Sequence, residues 1–455
     1  MKKKLLSLVL SAAVISTVLA GCGSKNSDSS TTKTSGAKEI YFLNFKPEIA
    51  DVYKEIATDY EKETGVKVKI VTAAAGTYET TLKSEISKSD APTIFQINGP
   101  VGYENWKDYC TDLSGTKLYS FLTDKTMAVT SGKGVYGIPY VVEGYGIIYN
   151  EAIMKKYFAL SNKAVSISTT AEINNYDLLS KVAKDMTAHK DELGIKGVFG
   201  STSLKAGEQW RWQTHLANLP LYYEFKDNTK YDSATVAGLA TTKIDFKYAN
   251  NFKNIFDLYI NNSITAPKLL GSKSVDDSMA EFALGNVAMV QNGNWGWSQI
   301  DKVVGNKVNK DDVKFMPIYT GVQGEETQGL CIGTENYFAI NSKVSKDKQT
   351  ASTAFLEWLF SSTKGKEYVT AKLGFIAPFN TFTDAEKPSD PLAKEVSNWM
   401  AKKDIKSVPW TFAAFPSEAF KNYFGDALLQ YAQGNKTWDD VVKIVKDSWA
   451  SEKTK

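Results

Sequence analysis

The chain reads as an α/β protein of two domains, and three observations carry that reading. Residues 39–97 alternate strand-like and helix-like segments, the order that builds a parallel sheet with crossover helices. About 415 residues follow the N-terminal segment, too many for one compact core, so two domains are the expectation. Hydrophobic residues make up 43% and charged residues 23% of the chain, which is ordinary for a soluble globular protein.

The N-terminus comes first. Met1-Lys-Lys-Lys precedes an apolar run from Leu5 to Ala20, and Leu19-Ala20-Gly21-Cys22 closes it. A basic start, an apolar run and small residues at its end make a secretion signal. The run is shorter than the roughly 20 residues of a spanning helix, so it reads as cleaved. Its Leu-Ala-Gly-Cys ending is similar to the lipobox of bacterial lipoproteins, which implies a signal peptide at 1–21 and a lipid on Cys22. Residues 22–38 are rich in Ser, Thr, Lys and Gly and cannot bury enough surface to fold. As a flexible coil this tether reaches roughly 20 Å. The expected location is the outer face of the cytoplasmic membrane, in a bacterium with a single membrane.

The charge balance excludes some partners. The chain has 54 Lys and Arg against 51 Asp and Glu, and removing Lys2, Lys3 and Lys4 brings the two to equality. No overall field attracts nucleic acid. Arg211 is the only arginine, whereas readers of phosphates and base edges favour the Arg fork. Two histidines, His189 and His215, sit in unrelated segments and no Cys-x-x-Cys occurs, so no transition-metal site is expected. Cys110 and Cys331 either pair with each other or remain as two buried thiols.

Along the folded part, Glu39–Phe45 reads as a strand, and Pro47 suits the first turn of a helix. Ile49, Val52, Tyr53, Ile56 and Tyr60 follow at helical spacing until Gly65. Val66–Thr72 alternates as a strand, Thr77–Ser89 is helical in pattern, and Thr93–Ile97 is a short buried-type strand. Ligands bind beyond the carboxyl ends of strands in such sheets, here Asn44-Phe45-Lys46 and Gln96-Ile97-Asn98. Two strand-like segments meet around Glu143-Gly144. Helical patterns span Asn175–Leu193 and Phe246–Ile264. Strand-like pieces return at Val287–Gln291, Val313–Tyr319 and Tyr337–Asn341. The C-terminal third is mostly helical.

Aromatic residues make up 12% of the chain, and several tryptophans fall where loops belong. Trp295 lies among Asn292, Gly293, Asn294 and Gly296, which are loop formers. Trp210 and Trp212 bracket Arg211 and, two apart on a helix, point in nearly opposite directions. Trp410 sits in a Pro-flanked loop. Trp358, Trp399, Trp438 and Trp449 fall in helical patterns and are assigned to packing. Flat aromatic walls with a few placed polar groups suit a pyranose, which has an apolar C–H face and a rim of hydroxyls.

Three longer segments carry a specific resemblance. Tyr136–Asn150, Met279–Trp297 and Ala339–Lys346 with Ala354–Leu359 resemble, in order, the lobe-crossing segment, the Trp-bearing turn and the return crossing of bacterial family 1 extracellular solute-binding proteins, a family that includes the maltose/maltodextrin-binding proteins. The resemblance implies a two-lobed periplasmic-binding-protein-like fold, each lobe a mostly parallel sheet flanked by helices, joined by crossing hinge strands. Lobe 1 is expected at 39–142 plus 338–377 and lobe 2 at 143–337 plus 378–455. It further implies a monomeric, non-enzymatic receptor that hands a sugar to the permease subunits of an ABC importer. By motif, Glu143 matches the hinge-side carboxylate, Trp295 the stacking aromatic, and Glu208 with Trp210 an acidic-then-aromatic pair. The first lobe lacks the Trp and the Asp-Arg pair of the maltose proteins, and Gln96, Asn98 and Tyr103 stand in for them. Asn294 and Trp410 complete the expected contacts. The rival readings are a surface-anchored glycoside hydrolase, which needs two carboxylates flanking the bond, and the same fold with a non-sugar solute.

Overall fold

A computed structural model of the chain describes residues 37–74 and 76–453. The expected signal peptide, Cys22 and most of the tether lie outside these residues. The strands are β1 (Glu39–Asn44), β2 (Lys67–Thr72), β3 (Ile94–Ile97), β4 (Val129–Ser131), β5 (Gly134–Gly137), β6 (Glu143–Asn150), β7 (Gly197–Phe199), β8 (Val287–Gly293), β9 (Val313–Met316), β10 (Gln328–Gly333), β11 (Tyr337–Ile340) and β12 (Lys406–Pro409).

The first sheet runs β11-β3-β1-β2, and β1 is parallel to both of its neighbours. Ile40 to Asn44 are all buried, because helices cover both faces of the sheet. One of them, Ala50–Thr64, turns Tyr53, Ile56 and Tyr60 inward and stops at Gly65. Gly65 takes φ 74° and returns its N–H to Glu61 O at 2.8 Å, a left-handed helix stop that glycine adopts without strain. The βαβαβ reading of residues 39–97 is therefore observed, with both helices and all three strands in place.

The second sheet runs β12-β10-β6-β8-β7, with β9 also on β6. Its β6 is antiparallel to β8, β9 and β10, and only β7–β8 and β10–β12 are parallel. The sheet is thus mixed, where a mostly parallel one was expected. The cause is that β6 arrives directly from the first sheet with no helical crossover, which a parallel neighbour requires. β6 also changes partners along its length: Glu143 to Tyr145 face β10, and Ile147 to Asn150 face β9. One face packs Tyr145, Phe199, Trp212 and Phe256, and the other packs Ile148, Met279, Phe282 and Phe315.

Three stretches connect the sheets side by side. Ile138 bridges Phe338, Val142 bridges Ile376, and Glu143 pairs with Gly333. Phe375, Phe379 and Phe382 pack in the core of the first sheet, so the chain leaves that sheet later than residue 377, the expected boundary. Leu392 and Val396 then pack on the second.

Arg211–Leu216 forms a π-helical turn that runs into the helix Ala217–Lys226, which contains Pro220. Proline lacks the N–H that a regular turn would use, and widened turns of this kind recur at functional sites. Cys110 and Cys331 are free and buried, on different sheets' cores. Of the helical tryptophans, Trp449 is fully buried and Trp399 donates its indole N–H to Phe315 O at 3.1 Å.

Candidate ligand-binding site between the sheets

The site begins just past the carboxyl end of β1. Asn44 closes a small turn on Lys46, donating from Nδ2 to Lys46 O at 2.7 Å and accepting from Lys46 N–H at 3.1 Å. This aims the Lys46 side chain across to the start of β6, where Nζ donates to Glu143 Oε1 at 2.7 Å and stands 3.6 Å from Glu48. Lys46 is 4% and Glu143 1% exposed. Burial disfavours the Lys46 cation, but the carboxylates of Glu143 and Glu48 outweigh it and hold the ammonium above the usual lysine range. Burial raises Glu143, and Lys46 offsets only part of that. The second carboxylate oxygen, Glu143 Oε2, is buried without a hydrogen-bond partner among the described residues.

Facing this pair is an aromatic cluster on the second sheet. Trp295, just after β8, lies 5.9 Å from Trp210, 5.2 Å from His215 and 6.3 Å from Trp410, centroid to centroid. Lys46 Nζ approaches the Trp295 ring at 5.6 Å. The Arg211 guanidinium sits 3.8 Å over the Trp210 ring, and burial pulls its pKa down to about 9. His215 stacks on Tyr145 at 4.4 Å, and burial with the nearby Arg211 charge keeps its imidazole neutral. Two glycines make room for the indoles. A Cβ on Gly293 would fall 2.2 Å from the Trp295 ring, and one on Gly333 2.4 Å from Trp410.

The two lobes touch across this region. A Cβ on Gly76, beyond β2, would lie 2.6 Å from the carbonyl oxygen of Gly207, and one on Gly99 would lie 3.4 Å from Ala413 Cβ. Gly76 and Gly207 have φ of 70° and 81°, so both turns need glycine and meet backbone to backbone.

The residues expected from sequence divide into two groups. Glu143, Trp295, Trp210 and Trp410 come together in the cluster, and Asn98 keeps a buried Oδ1 without a partner. Gln96 is instead spent inside the first lobe. It accepts from Phe45 N–H at 2.7 Å and donates to Tyr140 Oη at 2.9 Å and Asn336 O at 3.3 Å. Asn294 Oδ1 accepts from Gly144 N–H at 2.9 Å and fastens β6 to the Trp295 turn. Glu208 accepts from Val275 N–H at 2.6 Å at the start of the helix Val275–Ala283 and pairs with Lys205 at 3.2 Å. Tyr103 stacks on Tyr136 at 4.8 Å. Trp212 turns into the core and donates to Thr202 O at 2.8 Å, which leaves Trp210 as the member of that pair at the cluster. Lys46, Tyr145, Arg211 and His215 were not read as site residues. Lys46 carried a signal, as the last residue of the strand end Asn44-Phe45-Lys46; His215 carried none.

Comparison with known proteins gives a consistent answer. Residues 55–396 match the family model described as bacterial extracellular solute-binding protein. Among solved structures, a chitin oligosaccharide binding protein superposes with a TM-score of 0.70 at 16% identity, over 92% of this chain and 100% of that one. A sugar transporter from Bacillus licheniformis in complex with stachyose gives 0.66 at 16%, over 91% and 100%. A family 1 extracellular solute-binding protein from Bifidobacterium longum subsp. infantis gives 0.61 at 19%, over 92% and 100%. At these identities the likeness to solved structures is one of fold, the two-lobed fold with sheets flanked by helices. With a family model matched over most of its length, the chain belongs to the bacterial extracellular solute-binding proteins.

Proposed function

We propose that the protein captures a sugar of oligosaccharide size between its lobes and delivers it to the permease of an ABC importer. One observation carries this reading. Asn98 Oδ1, Glu143 Oε2, Arg211 Nη1, His215 Nδ1 and the indole N–H groups of Trp295 and Trp410 are all buried without partners among the described residues. Native interiors leave few such groups, and each costs about 1–3 kcal/mol. Donors and acceptors gathered among indole rings suit a ligand with an apolar ring face and a hydroxyl rim. The relatives whose names specify a chitin oligosaccharide and stachyose support the same ligand class.

In this reading Glu143, Asn98, Trp295, Trp210 and Trp410 touch the sugar, while Gln96, Asn294 and Glu208 hold the walls that carry them. Contacts from both lobes favour the closed arrangement, so binding and hinge closure are linked. Cys22 carries a lipid, and residues 22–38 keep the monomeric receptor beside its permease on the outer face of a single membrane. Catalysis and a cofactor have no part in it.

The test is a thermal-shift screen with stachyose, chitotriose and maltotriose. A sugar at about 100 times its Kd adds roughly 2.7 kcal/mol of stability, a clear upward shift in Tm. No shift with any sugar, or the appearance of new reducing ends on incubation, refutes the proposal.

A further inference from the structure

The crossing segment between β10 and β11 holds three consecutive polar residues that the fold does not use. Thr334 Oγ1 and Asn336 Nδ2 are buried without hydrogen-bond partners among the described residues. Glu335, between them, is half-buried and its carboxylate makes no ion pair among the described residues. Asn336 takes φ 56°, a left-handed conformation tolerated best by Asn and Gly, and its carbonyl is tied to Gln96. The kink thus fixes the backbone and leaves the side chains free. Its neighbours belong to the site: Gly333 underlies Trp410, and Tyr337 borders Gly99.

The charges around Glu335 come from both lobes. Lys46 of the first lobe, Glu143 of β6, and Lys421 and Glu418 of the helix Glu418–Ala432 act on it electrostatically, and it acts in turn on the hydroxyls of Tyr140, Tyr145 and Tyr337. Lys46 is engaged by Glu143 at 2.7 Å and Lys421 by Glu418 at 2.6 Å. Neither cation stands within ion-pair distance of Glu335 among the described residues, so the half-buried Glu335 carboxylate is left for another partner.

We propose that Thr334, Glu335 and Asn336 form a polyol subsite on the hinge itself, in which the Glu335 carboxylate accepts hydrogen bonds from neighbouring hydroxyls of the sugar. This rests on the sugar-binding reading above and adds that the ligand touches the crossing strand as well as the two walls. A ligand held there bears directly on the segment that must bend when the lobes close.

The subsite makes binding depend on pH. Burial raises the Glu335 carboxyl to about 7, with Lys46 lowering it in part and Glu143 raising it. Hydroxyl donors favour the ionised form, so binding strengthens as pH rises through 7. With binding confined to that form, affinity falls about tenfold from pH 8 to pH 6.

The experiment measures affinity for stachyose, chitotriose and maltotriose at pH 6 and pH 8, in the wild type, Glu335→Gln and Thr334→Val. The expected result is a tenfold pH effect in the wild type for whichever sugar binds. Glu335→Gln abolishes that effect, weakens binding at pH 8 by about tenfold, and leaves the Tm without sugar unchanged, because the fold makes no ion pair with this half-buried carboxylate. Thr334→Val weakens binding without lowering that Tm. If Glu335→Gln binds as the wild type does at both pH values, the subsite is wrong while sugar binding stands. A drop in the sugar-free Tm with affinity retained assigns Glu335 a structural role and overturns the proposal. No binding of any sugar to the wild type overturns the reading beneath it, and the subsite with it.

Discussion

Replacing Lys46 by Met, which keeps the length of the side chain and removes its charge, tests the electrostatics at the core of the site. The Lys46–Glu143 contact is 2.7 Å long and both residues are buried. Breaking a buried pair from one side strands the other charge and costs about 3–5 kcal/mol. Replacing both partners by apolar residues of similar size is often neutral, so Lys46→Met/Glu143→Leu is expected within about 1 kcal/mol of the wild type. The single variant also acquires a pH signature. Without Lys46, what remains on Glu143 is burial and the Glu48 charge, both of which raise its pKa. A carboxyl whose folded pKa exceeds its unfolded value stabilises fully below the unfolded value, and that stability is lost as pH rises through the folded one. The deficit of Lys46→Met is therefore large at pH 8 and small near pH 5. Urea denaturation at the two pH values, with m unchanged, reads it directly. A deficit below 1 kcal/mol at pH 8, an equal deficit at both pH values, or a double variant no better than the single one refutes the reasoning.

Three further outcomes follow. Trp295→Ala abolishes sugar binding with little loss of fold, whereas Trp212→Ala, at a fully packed position, costs about 3–5 kcal/mol of stability; equal effects of the two on denaturation would contradict the division between wall and core. Gly76→Ala places a methyl 2.6 Å from Gly207 O and holds the lobes apart, so sugar affinity falls more than tenfold while the sugar-free protein loses only the about 1–2 kcal/mol of a left-handed alanine. Burial pushes the thiols of Cys110 and Cys331 up to about 12, so both resist a thiol reagent at pH 8 until the protein is unfolded; rapid labelling of the native protein would show otherwise.

The sequence disclosed the first lobe almost entirely, because its helices and strands switch between periods of 3.6 and 2 and are punctuated by Pro47 and Gly65. The second sheet was less legible. β10 and β12 are short, and the antiparallel course of β6 follows from long-range pairing that local pattern does not encode. Glu143 and Trp295, which motif and loop context single out, come together with Lys46 in the candidate site. Gln96, Asn294 and Glu208 have the same side-chain chemistry as ligand contacts, and only their hydrogen-bond partners reveal that the fold has used them. Thr334 to Asn336 escaped for the converse reason: an unused polar atom is a property of packing, with no signature in residue type.

Sugar capture itself is tested most directly by isothermal titration of the purified protein with stachyose, chitotriose and maltotriose at pH 8, followed by analysis of the sugar recovered. Saturable binding of one molecule of at least one sugar, recovered intact and lost in Trp295→Ala, is the predicted result. Absence of binding to every sugar, recovery of a cleaved product, or undiminished binding in Trp295→Ala would contradict it.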